Sequence, residues 1–346
     1  MSKFILILLT VMLLSPQANA VAFEPPAISG EAEAFMPREF ESFTDGFISI
    51  VREGLSKLQP SIAEALRCSV SVIAIALLLS IVKGIRGSPN PVLSLVGTLS
   101  TSMILMSSSK SFIVLASETV KQISDYGKLL LPVMSASLAA QGGSGAAVAL
   151  YSATALFDAI LSSIISHIII PIVYVFLCIS TAHSAVGEEL LSKVNAFVKW
   201  LATWLLKTLL YIFTGYMAIT GVVSGSADAA AIKAAKLTIS GAVPVVGSIL
   251  SDASEAILVS ATLAKNAAGI YGLLAFASIT VLPFIKIGTH YLLLKITTAI
   301  CGIFEIKSLT ALLKDYASAM GLLLGMTGAV CLMMLVSTVC FMKGLH

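Results

Sequence analysis

Apolar residues run along this chain in long uninterrupted blocks, not in the alternation of a half-buried strand. Uncharged runs occupy residues 129–157, 159–186, 208–227, 266–285 and 317–342. Residues 287–304 are apolar except for His290 and Lys295. Two earlier runs are weaker. Residues 68–82 lie between Arg67 and Lys83, short for a span unless the helix extends back past Arg67. Residues 91–109 are uncharged but rich in Ser and Thr, which predicts packing inside a bundle more than against lipid. A spanning helix needs about 20 residues. The pattern therefore predicts six to eight transmembrane helices, and its lack of period-two alternation argues against a spanning barrel. The expected fold class is an all-α polytopic membrane protein.

The beginning of the chain reads differently. MSKFILILLTVMLLSPQANA places Lys3 before an eleven-residue apolar run and ends in Ala18-Asn19-Ala20. That is the form of a signal peptide (residues 1–20) cut after Ala20, which would leave the mature N-terminus extracytoplasmic. Residues 21–66 read as an acidic extracytoplasmic segment. Pro25, Pro26 and Pro37 mark a linker, and Phe40, Phe43, Phe47, Val51, Leu55 and Leu58 then recur at helical steps. This amphipathic helix would lie on the membrane, on a partner or on the chain's own membrane body. Residues 67–117 form a first transmembrane hairpin whose loop, with Lys83 and Arg86, belongs on the cytoplasmic side. ETVKQISDYGK, residues 118–128, reads as a charged connector.

Composition sharpens the membrane reading. Of 346 residues, 58% are hydrophobic and 11% charged, against about 25% charged in a soluble domain. Mean hydropathy is +1.00. Residues 21–67 carry eight acids and four bases, whereas the rest of the mature chain carries sixteen bases and ten acids. No basic tract is dense enough for nucleic-acid binding. The cysteines, Cys68, Cys178, Cys301, Cys331 and Cys340, all sit in apolar runs without metal spacing and read as packing residues.

An internal repeat emerges from four collinear matches. LPVMSASL around Pro132 resembles VPVVGSIL around Pro244, and Pro171 in IIIPIV matches Pro283 in TVLPFI, each pair 112 residues apart. YVFLCISTA from Tyr174 matches YLLLKITTA from Tyr291, and Tyr151-Ser-Ala-Thr154 resembles Val259-Ser-Ala-Thr262. The halves are residues 118–230 and 231–346. An odd number of spans per half would invert them and an even number would make them parallel.

Each half carries a helix breaker. In AVPVVGSILSDASEA, Pro244 and Gly247 precede Asp252-Ala-Ser-Glu255, which has the form of a capping box. One helix is expected to end near Leu250 and the next to begin at Ala253. The counterpart is Gln141-Gly142-Gly143 after Pro132. Pro244, Gly247, Asp252, Glu255, Pro132, Gln141, Gly142 and Gly143 are thus the candidate residues of a helix break or permeation path. The breaks either line a water-filled path at membrane depth, where irregular backbone needs protein around it, or lie at the membrane surface as ordinary capped starts. Asp158 reads as a turn between spans or as a buried acid. Lys207 and Lys295 would snorkel from helix ends or pair with an acid. His167, His183 and His290 are isolated, and Gly321-x-x-x-Gly325 would permit close helix packing.

There is no GxxxxGK[ST], no HExxH and no GxSxG. No catalytic, cofactor-binding or metal-binding set is expected, and no enzymatic activity.

Residues 234–272, AAKLTISGAVPVVGSILSDASEAILVSATLAKNAAGIYG, resemble the signature region of the stage III sporulation protein AE family. The VPVVGxxLSDAxE core and the later LxKNAxG carry the resemblance, which extends from about residue 40 onward. The resemblance implies a multi-pass component of the mother-cell membrane around the forespore in an endospore-forming bacterium. It implies work with other stage III A-operon proteins, including a separate ATPase and ring-forming membrane proteins, and with the forespore protein Q. Together these would form a channel, or feeding tube, supporting forespore development and late sigma-factor activity. The family offers no catalytic residues to carry over. The rival readings are a stand-alone secondary transporter, with Asp252, Glu255 and Asp158 as ion ligands, and a non-conducting scaffold for ring-forming partners.

Overall fold

The computed structural model describes residues 26–28, 30–37, 43–86, 91–242 and 247–343, without the side chains of residues 217–265. The expected signal peptide and Pro244 lie outside the described residues. Eight α-helices follow a short 3-10 turn, Gly30–Phe35: α1 Phe43–Ser56, α2 Gln59–Arg86, α3 Pro91–Ala140, α4 Ser144–Ile164, α5 Ile170–Val186, α6 Glu189–Ala242, α7 Gly247–Ile303 and α8 Lys307–Lys343. Among the described residues, six helical stretches are long and apolar enough to cross a membrane: Gln59–Ile85, Val92–Ala140, Ser144–Val186, Glu189–Tyr216, Asn266–Ile303 and Lys307–Lys343. The chain is an all-α polytopic membrane protein.

Three apolar runs are divided differently from expectation. Residues 118–128 are no connector, because α3 passes straight through them. Ile113, Ala116, Val120, Ile123, Tyr126 and Leu130 keep one buried stripe at three- and four-residue steps, while Glu118, Lys121, Asp125 and Lys128 take the other face. The stripe outweighs the charges because the charges never enter the core. The run 129–157 is instead cut at Gln141–Gly143. The runs 266–285 and 287–304 are one helix, with Pro283 inside α7 as Pro132 is inside α3. A bundle interior tolerates such prolines because neighbouring groups satisfy the freed carbonyl. Pro171 is accommodated another way. A wide π turn, Ile165–Ile169, precedes it and joins α4 to α5, making room for the ring.

α8 occupies the centre. Leu312, Leu313, Tyr316, Met320, Leu323, Met326, Val330, Met334 and Phe341 are all buried along it, and α3, α4, α5, α6 and α7 pack around it. In lipid no hydrophobic force drives helices together, so close van der Waals approach must do so. Glycines supply that approach. Gly272 of α7 lies directly against Leu130 of α3, and Gly127 of α3 faces the Met334 side chain, 2.7 Å from where a Cβ would stand.

α1 also packs on the membrane body, but through an unexpected face. Gly46, Ile50 and Gly54 are its buried residues, while Phe43, Phe47 and Leu55 are exposed. A Cβ on Gly46 would stand 2.8 Å from Leu274 of α7. The glycine face wins because it allows backbone to side-chain contact that the aromatic face would prevent. Phe43 and Phe47 stack on each other at 5.9 Å on the open side.

The α5–α6 turn closes on Gly187, at φ 81°, whose N–H donates to His183 O at 2.7 Å. The α7–α8 turn contains Glu305 at φ 53°. Asp315, near the start of α8, is hydrogen-bonded to Ser180 near the end of α5 and Asn195 near the start of α6. Both turns therefore lie at one end of the bundle. The α4–α5 segment and α7 therefore run in the same direction.

Candidate functional site: helix interruptions and polar groups between the spanning helices

At the end of α3 the chain reads Ala140-Gln-Gly-Gly-Ser144. The turn is closed by Gly142 N–H donating to Ala139 O at 2.9 Å and Gly143 N–H donating to Leu138 O at 3.2 Å. Gly142 takes φ 90°, which a side chain would strain. Gly143 then caps α4, and its carbonyl accepts from Ala147 N–H at 2.8 Å. Gln141 is buried. Of the candidate residues in the first half, Gln141, Gly142 and Gly143 form this break, whereas Pro132 lies within α3.

In the second half the described part of α6 reaches Ala242 and that of α7 runs from Gly247. The backbone is therefore already helical before Asp252, whereas the capping box led us to expect a helix beginning at Ala253. Asp252 and Glu255 lie within α7, beyond its first described turn. The side chains of Asp252 and Glu255 lie outside the described residues.

The polar groups with defined geometry lie elsewhere. Asp158 is inside α4, not in a turn, and is 4% exposed. Ser124 of α3 donates to its Oδ2 at 2.6 Å. Its Oδ1 has no hydrogen bond among the described residues. Charge is not far away: Lys128, paired with Asp125 at 2.9 Å, acts on Asp158 electrostatically. One turn before Asp158, Thr154 hydrogen-bonds Ser337 of α8. In the second half the matching Thr262-x-x-x-Asn266 carries an amide where Asp158 stands.

A second carboxylate sits between α5, α6 and α8. Asp315 Oδ2 accepts from Ser180 Oγ and from Asn195 Nδ2, each at 2.7 Å. Asn195 is 4% exposed, and its own Oδ1 has no partner among the described residues. Beside it Ser102 of α3, Thr181 of α5 and Tyr316 of α8 meet, with oxygen separations of 2.7, 3.3 and 3.4 Å. Farther along α7, buried His290 stacks on Phe112 at 4.5 Å, and its Nε2 lies 3.4 Å from Ser108 Oγ.

A carboxylate in an apolar bundle is costly unless held by donors or by a counter-charge. Here hydroxyls and one amide hold both. Each arrangement can fix helices in register and can also present an anionic oxygen to a cation or a proton. Sequence reasoning reached Asp158 but not Asp315. The latter falls beside Lys314 at the start of an apolar run, where it looks like an ordinary helix-end charge. The available signal was Asn195, an amide inside an otherwise apolar and basic stretch.

The family model for stage III sporulation protein AE matches residues 42–344. The stage III sporulation protein AE of Bacillus subtilis (strain 168) is 23% identical over 185 residues, which cover 54% of this chain and 46% of that protein. The matched stretch thus spans about half the length of that relative. No solved structure matches.

Proposed function

The chain belongs to the stage III sporulation protein AE family, and on that premise we propose that it is the multi-pass membrane component of the channel linking mother cell and forespore. In this reading it sits in the mother-cell membrane around the forespore with its mature N-terminus extracytoplasmic. It supports forespore development and late sigma-factor activity without enzymatic activity of its own. Its partners are the other stage III A-operon proteins, among them a separate ATPase and ring-forming proteins, and the forespore protein Q.

The observation that supports a conducting part over a plain anchor is the placement of Asp158 and Asp315. Both carboxylates lie between apolar spanning helices, held by Ser124 in one case and by Ser180 and Asn195 in the other. Acids so placed are costly and are typical of solute, ion or proton paths. The same acids would serve a stand-alone secondary transporter as coupling-ion ligands, which is the second reading.

The test is Asp158→Asn and Asp315→Asn, singly and together, in the sporulating cell. The expected result is a loss of mature spores with membrane abundance unchanged. Normal sporulation of the double variant would remove both acids from the mechanism and leave a scaffold. Uptake of a defined solute by the purified protein alone would favour the transporter.

A further inference from the structure

Between α6, α7 and α8 lies a cavity of about 350 Å³. Lys199 and Lys207 of α6 and Lys295 of α7 line it, and none of its lining residues is acidic. Thr203, Tyr291 and Ser318 supply hydroxyls. Lys199 Nζ donates to Ser318 Oγ at 2.9 Å, and Lys295 Nζ lies 5.6 Å from the centre of the Tyr291 ring. None of the three lysines forms a salt bridge among the described residues. Asp315 feels Lys199 electrostatically but does not line the cavity. Snorkelling explains a single lysine near a helix end. It does not explain three, from two helices, converging on one hollow.

The hollow itself is made by small residues. Gly321 and Gly325 of α8 form part of its wall. A Cβ on Gly325 would meet nothing within 4 Å, and one on Gly321 would only touch the Tyr291 ring. The Gly-x-x-x-Gly pattern therefore does not bring two helices together here. It leaves room. The rest of the wall is apolar, with Leu206, Leu210 and Leu322. On the outer side of the same stretch of α6, Trp200 and Trp204 are exposed and stack at 6.0 Å. Exposed tryptophan pairs favour the headgroup level of a bilayer.

We propose that this cavity binds the phosphate headgroup of an anionic lipid. The lysines neutralise the phosphate, the hydroxyls donate to its oxygens, and the leucines accept the adjoining apolar portion. Lys199 and Lys207 stand about 12 Å apart along α6, and their flexible stems let both ammonium groups reach one headgroup. The assignment is independent of the channel reading, since it concerns binding by the isolated protein.

The test uses the purified full chain in phosphatidylcholine nanodiscs, with and without phosphatidylglycerol, read by thermal unfolding and native mass spectrometry. Phosphatidylglycerol is expected to raise the melting temperature and to remain bound. In the Lys199→Gln, Lys207→Gln, Lys295→Gln triple variant, affinity for it should fall roughly 100-fold, at the usual contribution of each basic residue. A control triple, Lys57→Gln, Lys83→Gln, Lys121→Gln, should keep it. Gly325→Leu fills the hollow without changing charge and should also abolish the preference, so the test does not depend on the triple variant folding. Equal behaviour of the wild type in the two lipids overturns the proposal, as does undiminished binding by the filled variant. An equal response to inorganic phosphate alone overturns the lipid assignment in favour of a free phosphate.

Discussion

Asn195 donates to Asp315 Oδ2 at 2.7 Å, joining the first turns of α6 to those of α8. Ser180 shares the same oxygen, so one carboxylate ties together α5, α6 and α8. Removing Asn195 leaves a carboxylate short of a donor. Asn195→Ala should cost about 1.5–3 kcal/mol. The exposed Lys193–Glu189 pair, 3.2 Å apart one turn away, sets the comparison. Lys193→Ala should cost no more than about 0.5 kcal/mol. Thermal unfolding in one detergent checks both.

Gly142 and Gly215 should respond oppositely to alanine. Gly142 sits at φ 90° in the α3–α4 break, whereas Gly215 is helical with open space where a Cβ would go. Gly142→Ala should destabilise by about 1–2 kcal/mol. Gly215→Ala should be neutral or stabilise by up to about 1 kcal/mol. Equal melting temperatures for the two variants would contradict the break as described.

The contact of α1 with α7 should be sensitive to bulk at Gly46. Gly46→Val places methyl groups where Leu274 already stands, an overpacking worth about 1–3 kcal/mol. α1 should then lift, and trypsin should cut at Arg52 and Lys57 faster than in the wild type. Unchanged cleavage would mean that α1 is held by something other than this face.

The shared direction of the α4–α5 segment and α7 makes a prediction about sidedness. Single cysteines at Glu188 and Glu305, in a background lacking the native cysteines, should be labelled by an impermeant thiol reagent from the same side. A cysteine at Ser144 should be labelled from the other. Opposite labelling of Glu188 and Glu305 would contradict the placement of both turns at one end of the bundle.

Asp252→Asn with Glu255→Gln removes charge within α7. Both substitutions keep side-chain shape, so the protein should stay inserted and abundant. Spore formation should nevertheless fall. Sporulation at wild-type frequency would take these two acids out of the mechanism.

Much of the architecture was legible because membrane helices announce themselves by composition. The apolar runs fall within the spanning helices without marking their bounds, and the Ser- and Thr-rich run at 91–109 turns one face inward, with Thr98, Thr101, Ser102 and Ser109 buried, while Val92, Val96 and Met103 are exposed. What misled was punctuation. Charges at 118–128 and proline at 283 looked like boundaries, yet a helix face can carry charges outward and a bundle can absorb a proline. The chain does turn at Gln141-Gly142-Gly143, because two consecutive glycines can take a conformation that other residues resist. At Asp252 the backbone is already helical from Gly247, so the capping-box pattern there lies within a helix. Asp315 and the three lysines of the cavity were not legible as groups. Their partners come from helices separated by about a hundred residues, and no local spacing reports such a meeting.

The unbroken passage of α3 through its charged stretch also fixes a height. Fifty residues of α-helix rise about 75 Å, while the hydrocarbon layer is about 30 Å thick. Even a tilt of about 40°, steep for a spanning helix, leaves a vertical extent of nearly 60 Å. A substantial length of α3, and of the helices bound to it, must therefore overhang the bilayer as a stiff post. Any protein that docks on that post meets this chain at a set stand-off from the lipid, without having to enter the membrane.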